Sequence, residues 1–183
     1  MKEEVGRLRP SICIDIDNTI ADLNASMLGI LPSLDPTKYP TPGITPNTFE
    51  DNPWIFTEAP PILGAIKAVR FLSLSWEITY LTARPEWARE ITIDWLNRHG
   101  FPEGHVVLSQ DKGADAKRLG ASLAIDDAPQ EVEKLSRVVP VLIYAQPYNY
   151  GLKHLGQRIT WSNRKWIEAI FSFYPLKRTT ANG

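Results

Sequence analysis

The sequence predicts an α/β fold in which helices cover both faces of a central parallel sheet, a Rossmann-like three-layer arrangement. Two observations support this prediction. Short apolar segments of the length of buried strands alternate along the chain with segments of helical periodicity. Charged and polar residues follow directly after several of the apolar segments, as happens where a buried strand leaves the core.

Five segments have the apolar, partly β-branched composition of buried strands. They comprise residues 11–14, 77–81, 105–108, 122–125 and 141–144. Helices are predicted over residues 62–74, 85–98, 113–119, 129–138 and 163–173. In the second of these helices Trp87, Ile91 and Trp95 recur every four residues, which favours a shared core face for the two tryptophans. Strands that alternate with helices in this way imply right-handed crossovers and a parallel sheet.

A proline-rich insertion interrupts this pattern after the first strand. Eight of the 15 prolines lie between Leu31 and Pro61, and proline disfavours both long helices and central strands. We therefore expect a small cap insertion over residues 22–61, within a single domain that runs over residues 1–183. A chain of 183 residues with 43% hydrophobic residues can bury one substantial core.

Composition restricts the partners and the compartment. The 20 basic and 21 acidic residues give a net charge of −1, so binding to nucleic acid is not expected. The start of the chain lacks the apolar core of a signal peptide, and no uninterrupted apolar run reaches the ~18 residues of a membrane span. Because Cys13 is the only cysteine, no internal disulfide can form. We expect a cytoplasmic protein without membrane contact, of undetermined oligomeric state.

Four predicted strands end in residues that can carry chemistry. They are followed by Asp15-Ile16-Asp17-Asn18-Thr19, Thr82-Ala83-Arg84, Lys112 and Asp126-Asp127. In an open α/β sheet, ligands bind beyond the carboxyl ends of the strands. These four groups should therefore meet at one edge of the sheet.

Carboxylates gathered at one edge repel one another unless a cation lies among them, and oxygen ligands of this kind suit Mg²⁺. A magnesium site of this type remains open to a phosphoryl group. Thr82 and the neighbouring backbone N–H groups, including that of Ala83, are expected to hold phosphate oxygens where a helix begins. Lys112 is favoured over Lys117 as the balancing cation because it directly follows a strand end.

In these four motifs, over roughly residues 11–145, the sequence resembles the haloacid dehalogenase superfamily. The resemblance implies an HAD-like fold and a phosphatase that forms an aspartyl-phosphate. It implies that Asp15 is the nucleophile and Asp17 the general acid and base. It further implies that Asp15, the backbone carbonyl of Asp17 and one or both of Asp126 and Asp127 bind magnesium, with Asp127 favoured as the direct ligand. Thr82, Ala83 and Lys112 would bind phosphate.

The stretch from Thr82 to Asp127 resembles the 5′(3′)-deoxyribonucleotidase-like branch, which implies a small substrate such as a nucleoside monophosphate. The alternatives are a polynucleotide 3′-phosphatase and a non-catalytic module that binds magnesium and phosphate. Dehalogenation is disfavoured because dehalogenases of this superfamily lack the aspartate at the position of Asp17. Three further roles stay open. Trp54 and Phe56 either line a substrate pocket or anchor the insertion, and Arg84 either contacts substrate or pairs with a neighbour such as Glu86.

Overall fold

Six parallel strands form the sheet in the computed structural model, which describes residues 9–173. The strands are β1 (Ser11–Ile14), β2 (Glu77–Thr82), β3 (His105–Leu108), β4 (Leu123–Asp126), β5 (Val141–Tyr144) and β6 (Gln157–Ile159). Their spatial order is β3-β2-β1-β4-β5-β6, so β1 lies between β2 and β4. The first strand along the chain is therefore a central one. The residues that follow it emerge in the middle of the carboxyl edge of the sheet.

Eight α-helices accompany the strands in the described part of the chain. They are α1 (Leu23–Met27), α2 (Pro46–Asp51), α3 (Trp54–Glu58), α4 (Ala65–Leu72), α5 (Arg89–His99), α6 (Lys112–Arg118), α7 (Pro129–Leu135) and α8 (Lys165–Phe173). Short 3₁₀ segments occupy Glu86–Ala88 and Pro147–His154. No helix within residues 9–173 combines the length and apolarity needed to span a bilayer.

The sheet has a hydrophobic core on each face. Residues of β1 contribute alternately to the two cores, because successive side chains of a strand point to opposite faces. Ile12 and Ile14 belong to the larger core, to which α4, α5 and α8 contribute buried residues such as Trp95. Cys13 belongs to the smaller core, which includes Ala116 of α6 and Val132 of α7. The predicted fold class, a parallel sheet between two helical layers, is confirmed.

Two features differ from the prediction. The edge strand β6 was not predicted, because its three residues are too few to show a period and only Ile159 is buried. Trp87 is not a core residue, since it lies in the 3₁₀ turn before α5 and is 40% exposed, whereas Trp95 is fully buried. The turn ends the helical spacing on which the shared face of the two tryptophans depended.

The two ends of the proline-rich insertion join the rest of the domain at neighbouring points. The N–H of Asp22 donates to the carbonyl of Pro60, and the N–H of Ile62 donates to the carbonyl of Ile20, both at 2.8 Å. Between these points lie the three short helices α1, α2 and α3, none longer than six residues, as the prolines require. The extent of the single domain stays a prediction, and residues 1–8 and 174–183 lie outside the described part.

Candidate active site

Three buried aspartates meet at the carboxyl edge of the sheet. Asp15 follows β1, Asp126 ends β4 and Asp127 comes next. One carboxylate oxygen from each residue lies within 4.8 Å of the other two. All three are at most 4% exposed. The central position of β1 beside β4 brings these residues together, as the sequence predicts.

Lys112 supplies the one ammonium group that contacts this cluster within residues 9–173. It begins α6, after the short loop that follows β3, and is 2% exposed. Its Nζ donates to Asp15 Oδ1 at 2.6 Å and to Asp126 Oδ2 at 2.7 Å. Lys117, the alternative, lies exposed on the same helix. The preference for Lys112 therefore agrees with the geometry.

Among the described residues, the cluster holds three carboxyl groups but only one ammonium group. Burial raises the pKa of Asp15 well above its ordinary value, although Lys112 opposes the shift, and burial raises the pKa of Asp126 in the same way. Burial alone would lower the pKa of Lys112, but Asp126 and Asp15 raise it. The lysine therefore stays charged, while one ammonium faces three carboxyl groups. Ionising all three aspartates requires a further cation.

Asp127 differs from Asp126 in its partners. Thr19 Oγ1 donates to Asp127 Oδ1 at 2.7 Å and the Tyr148 hydroxyl donates to Oδ2, whereas Asp126 is held by Lys112 and by the N–H of Ala128. Burial and the adjacent Asp126 raise the pKa of Asp127 to about 7. Asp127 also lines the cavity described below. Asp127 is therefore better placed than Asp126 to bind a cation that enters from the cavity.

The donor set fits magnesium on chemical grounds. It consists of carboxylate oxygens, the hard ligands that Mg²⁺ prefers, and its excess negative charge is what a divalent cation would offset. The group of Asp15, Asp126 and Asp127 is therefore a candidate metal site. The side chain of Asp17 does not belong to that group. Metal binding by Asp17 would therefore use its backbone carbonyl.

Asp17 instead forms an ion pair with Arg84. The guanidinium donates through Nη2 to Asp17 Oδ1 at 2.7 Å and through Nε to Oδ2 at 3.0 Å. Of the two roles left open for Arg84, the structure shows pairing with a protein side chain, but the partner is Asp17 and not Glu86, which pairs with Arg89. Proximity in sequence suggested Glu86, but the sheet brings the carboxyl ends of β1 and β2 together.

Thr82 and Ala83 reach the same cavity from the end of β2. Thr82 is fully buried, and its Oγ1 accepts the N–H of Arg84 at 3.3 Å, which leaves its own O–H available to donate. The predicted helix start at this point is displaced, since the 3₁₀ turn begins at Glu86 and α5 at Arg89. The helix dipole therefore gives less support to an anion at Thr82 than the sequence suggested.

A cavity of about 530 Å³ opens over the aspartates. Asp15, Asp17, Thr82, Lys112 and Asp127 are on its lining, and large apolar side chains form much of the rest of the lining. This apolar part, the wall of the cavity, consists of Leu23, Met27, Tyr39, Ile44, Phe49, Phe56 and Trp87. The structure thus brings the predicted acidic, hydroxyl and basic groups to one pocket.

Phe56 and Trp54, the two aromatic residues of the insertion that could line a substrate pocket, lie in different surroundings. Phe56 is 2% exposed, lines the cavity and stacks on Phe49 with ring centroids 5.1 Å apart. Trp54 is 37% exposed and is not on the lining. Its ring packs against Gly29, where an added Cβ would come within 3.0 Å. This contact fits an anchor for the insertion rather than a pocket residue.

Three contributors to the site were not assigned from sequence. The hydroxyl of Thr19 lies 3.4 Å from Asp15 Oδ2 and 2.7 Å from Asp127. Tyr148 belongs to the segment that follows β5, and Arg84 belongs to the segment after β2. The rule that located the aspartates applies to all three, because each follows the carboxyl end of a parallel strand.

Parts of the chain are similar in sequence to known proteins. A family model described as the LNS2 domain of PITM 1-3 matches residues 54–124. A curated protein of Oceanobacillus iheyensis named "Putative nucleotidase" is 32% identical over 113 residues, which cover 58% of this chain and 60% of that protein. The chain therefore matches less than two thirds of that relative's length.

Solved structures match over more of the chain. A haloacid dehalogenase-like family hydrolase from Streptococcus pneumoniae superposes with a TM-score of 0.61 and 14% identity, covering 89% of this chain and 98% of its own. An L-2-haloacid dehalogenase superposes with a TM-score of 0.56 and 10% identity, covering 87% and 94%. At such identities the likeness concerns the fold, which different chemistries share. The chain therefore has the haloacid dehalogenase-like fold that its four strand-end motifs indicate.

Proposed function

We propose that this chain is a magnesium-dependent phosphomonoester hydrolase that works through an aspartyl-phosphate on Asp15. One observation carries the proposal: a buried carboxylate cluster, short of positive charge, faces a cavity that also presents Thr82 and Lys112. A phosphoryl group placed there would meet a nucleophile, a hydroxyl donor and an ammonium together. Bound among Asp15, Asp127 and the backbone carbonyl of Asp17, magnesium would neutralise charge that develops on the phosphoryl oxygens.

The reaction has two steps in this proposal. A carboxylate oxygen of Asp15 attacks phosphorus, and the bond from phosphorus to the leaving oxygen breaks. The leaving oxygen keeps the electron pair of that bond and receives a proton from the carboxyl group of Asp17. Water then attacks phosphorus and gives a proton to the Asp17 carboxylate, while the bond from phosphorus to Asp15 breaks. Phosphate leaves, and both aspartates return to their starting states.

Lys112 has two roles in the proposed mechanism. Its contacts with Asp15 and Asp126 fix the nucleophile and offset part of the buried negative charge. The Thr82 hydroxyl and the backbone beside it, at Ala83, would hold the phosphoryl oxygens. Such preorganised donors contribute most where water is excluded, because the effective dielectric constant there is low.

For the substrate we infer a nucleoside monophosphate. The cavity lining combines carboxylates with aromatic side chains, which suits a molecule that carries both a charged group and a flat ring. The nucleotidase relative, which the chain matches over 60% of that protein, supports the same substrate class. A cavity of about 530 Å³ lies within the usual range for small-molecule sites, ~300–1,000 Å³.

Release of inorganic phosphate from a panel of phosphomonoesters, with Mg²⁺ and with a chelator, tests the proposal. We expect turnover with Mg²⁺, none after chelation and none in Asp127→Ala. Asp17→Asn should keep phosphate binding but lose about 10²–10⁴ in rate, the usual contribution of a general acid or base. Equal turnover with and without the metal would contradict the proposal.

A module that binds a phosphorylated ligand without turnover is the second candidate. The LNS2 match extends over residues 54–124, a range that includes Thr82 and Lys112, so it supports the phosphate-binding part of the site. The presence of Asp15 and Asp17, in contrast, argues against a module without turnover. The same panel distinguishes the two candidates. A ligand that raises the melting temperature but releases no phosphate in any condition would support the module.

A further inference from the structure

Arg84 lines the cavity, but its guanidinium is engaged by other side chains of the protein. Its side chain has no exposed surface, and each of its three nitrogens donates to a protein acceptor. Nη2 and Nε bond to the two carboxylate oxygens of Asp17, and Nη1 donates to Thr92 Oγ1 at 3.1 Å. The carbon of the guanidinium lies 4.4 Å from the ring centroid of Phe56.

These partners come from three parts of the fold. Thr92 is a fully buried residue of α5, and its own hydroxyl donates to the carbonyl of Ala88 at 2.8 Å. Phe56 belongs to α3 of the insertion, and its ring gives the guanidinium a favourable cation–π contact. The guanidinium is thus held on one side by a helix and on one face by the insertion.

Asp17 depends on this arrangement for its orientation. Its side chain is 21% exposed and borders the cavity, so solvent alone would allow it several rotamers. A guanidinium that grips both carboxylate oxygens restricts the side chain to one geometry, which a point charge such as an ammonium cannot do equally well. A proton donor or acceptor acts only within hydrogen-bond reach of its target, so orientation is a direct requirement of its chemistry.

The same contacts argue against Arg84 as a substrate ligand. A phosphate oxygen would have to displace Asp17 or Thr92 from a side chain that is already buried. Arg84, Lys112 and Thr82 all line the cavity, but Lys112 also contacts the aspartate cluster directly, and the Thr82 hydroxyl keeps its own O–H available to donate. Phosphate recognition therefore does not require the guanidinium.

We propose that Arg84 is a positioning residue for Asp17, fixed in place by Thr92 and Phe56, and that it acts on the reaction only through that aspartate. This inference rests on the phosphatase function proposed above. It adds a link from the insertion to the general acid and base, because Phe56 of the insertion contacts Arg84 and Arg84 contacts Asp17.

The test uses substrates that differ in their need for a general acid. A nucleoside monophosphate releases an alkoxide and needs a proton, whereas 2,4-dinitrophenyl phosphate releases a stable phenolate and needs none. We expect Arg84→Lys to lower kcat/KM for the nucleotide by about 10- to 100-fold, the range expected when a reacting group is misplaced. For the dinitrophenyl ester the loss should stay below about threefold, since protonation contributes little there.

A double-mutant cycle completes the test. In an Asp17→Asn background, Arg84→Lys should lower kcat/KM for the nucleotide by less than about threefold, because the two residues act as one unit. Arg89→Lys is the matched control, since Arg89 makes a similar pair with Glu86 on an exposed surface. It should leave both substrates unaffected.

Thr92→Val provides a second route if Arg84→Lys does not fold. It keeps the charge of Arg84 and removes the hydroxyl that Nη1 contacts, so it should show the same dependence on leaving group with a smaller loss. Equal losses with both leaving groups, or an undiminished loss in the Asp17→Asn background, would overturn the positioning role while the phosphatase proposal stands. Absence of phosphate release by the unaltered protein would overturn both.

Discussion

The floor and the wall of the cavity are built on different principles. The floor consists of Asp15, Asp126 and Asp127, which lie at strand ends or at the first residue beyond one, and of Lys112, which begins α6 after the loop that follows β3. The wall comes largely from the insertion, whose three short helices contribute few buried residues. Sheet hydrogen bonds fix the floor, whereas packing between aromatic rings holds much of the wall.

The difference separates chemistry from selectivity. Groups of the floor interact through charge, which is strong at low dielectric constant and steeply dependent on geometry. Groups of the wall interact through apolar area, at about 25 cal/mol per Å² buried, with little directional demand. Replacing a floor residue should therefore change the reaction or the charge balance of the fold. Replacing a wall residue should change which substrate binds.

The largest effect is expected for Asp15→Asn. The amide cannot form the aspartyl-phosphate, so phosphate release should fall to background for every substrate. The fold should persist, because the replacement removes one negative charge from a cluster that has too many. Phosphate release and thermal unfolding measured on the same preparation check both statements. Normal turnover by folded Asp15→Asn would exclude this residue as the nucleophile.

The next effect concerns stability. Lys112→Met leaves three buried carboxyl groups without their ammonium partner, and breaking a buried ion pair from one side costs about 3–5 kcal/mol. We expect a loss of this size in the free energy of unfolding at neutral pH without metal, measured by urea denaturation. Lys117→Met, on the exposed side of the same helix, should change the value by less than about 0.5 kcal/mol. Similar results for both variants would show that Lys112 does not balance the floor.

A smaller effect should appear in the pH dependence of stability. Burial and Asp126 raise the pKa of Asp127 from 3.8 to about 7. Between these values the folded, metal-free protein holds a proton that the unfolded chain releases. The contribution of Asp127 to stability is therefore present at low pH and is lost as pH rises through about 7. Bound Mg²⁺ favours the ionised carboxylate and should remove this loss.

Comparison with Asp127→Asn isolates that contribution from the other carboxyl groups. In chelator, the unfolding free energy of the unaltered protein minus that of Asp127→Asn should decrease between pH 4 and pH 7. Mg²⁺ should raise the melting temperature of the unaltered protein at pH 7.5 but not that of the variant. A difference that increases with pH in chelator would mean that Asp127 is not destabilised by burial.

The contrast between the floor and the wall also explains which features of the site can be predicted from the sequence. Asp15, Thr82, Lys112 and Asp127 follow predicted strands, and a parallel sheet brings such positions to one edge whatever the details of packing. The partner of Arg84 could not be obtained in this way, since it depends on which side chain of a neighbouring strand end lies opposite. The role of Trp54 was equally inaccessible, because the course of a proline-rich insertion is set by tertiary contacts such as that with Gly29.

The smallest effect is expected at the wall, where Phe49→Ala tests selectivity. Phe49 lines the cavity and stacks on Phe56, so its removal takes away a flat face but leaves Arg84 and the floor in place. If a nucleobase stacks here, at about 1–3 kcal/mol per base, the KM for a nucleoside 5′-monophosphate should rise several-fold. The KM for ribose 5-phosphate, which lacks the base, should hardly change. Trp54→Ala is the matched control: because Trp54 lies outside the cavity lining, loss of its packing against Gly29 should change the two values to the same extent and not the nucleotide's alone. A nucleotide-specific rise for Trp54→Ala rather than Phe49→Ala would place the base-binding face on the other side of the insertion and break the division between floor and wall.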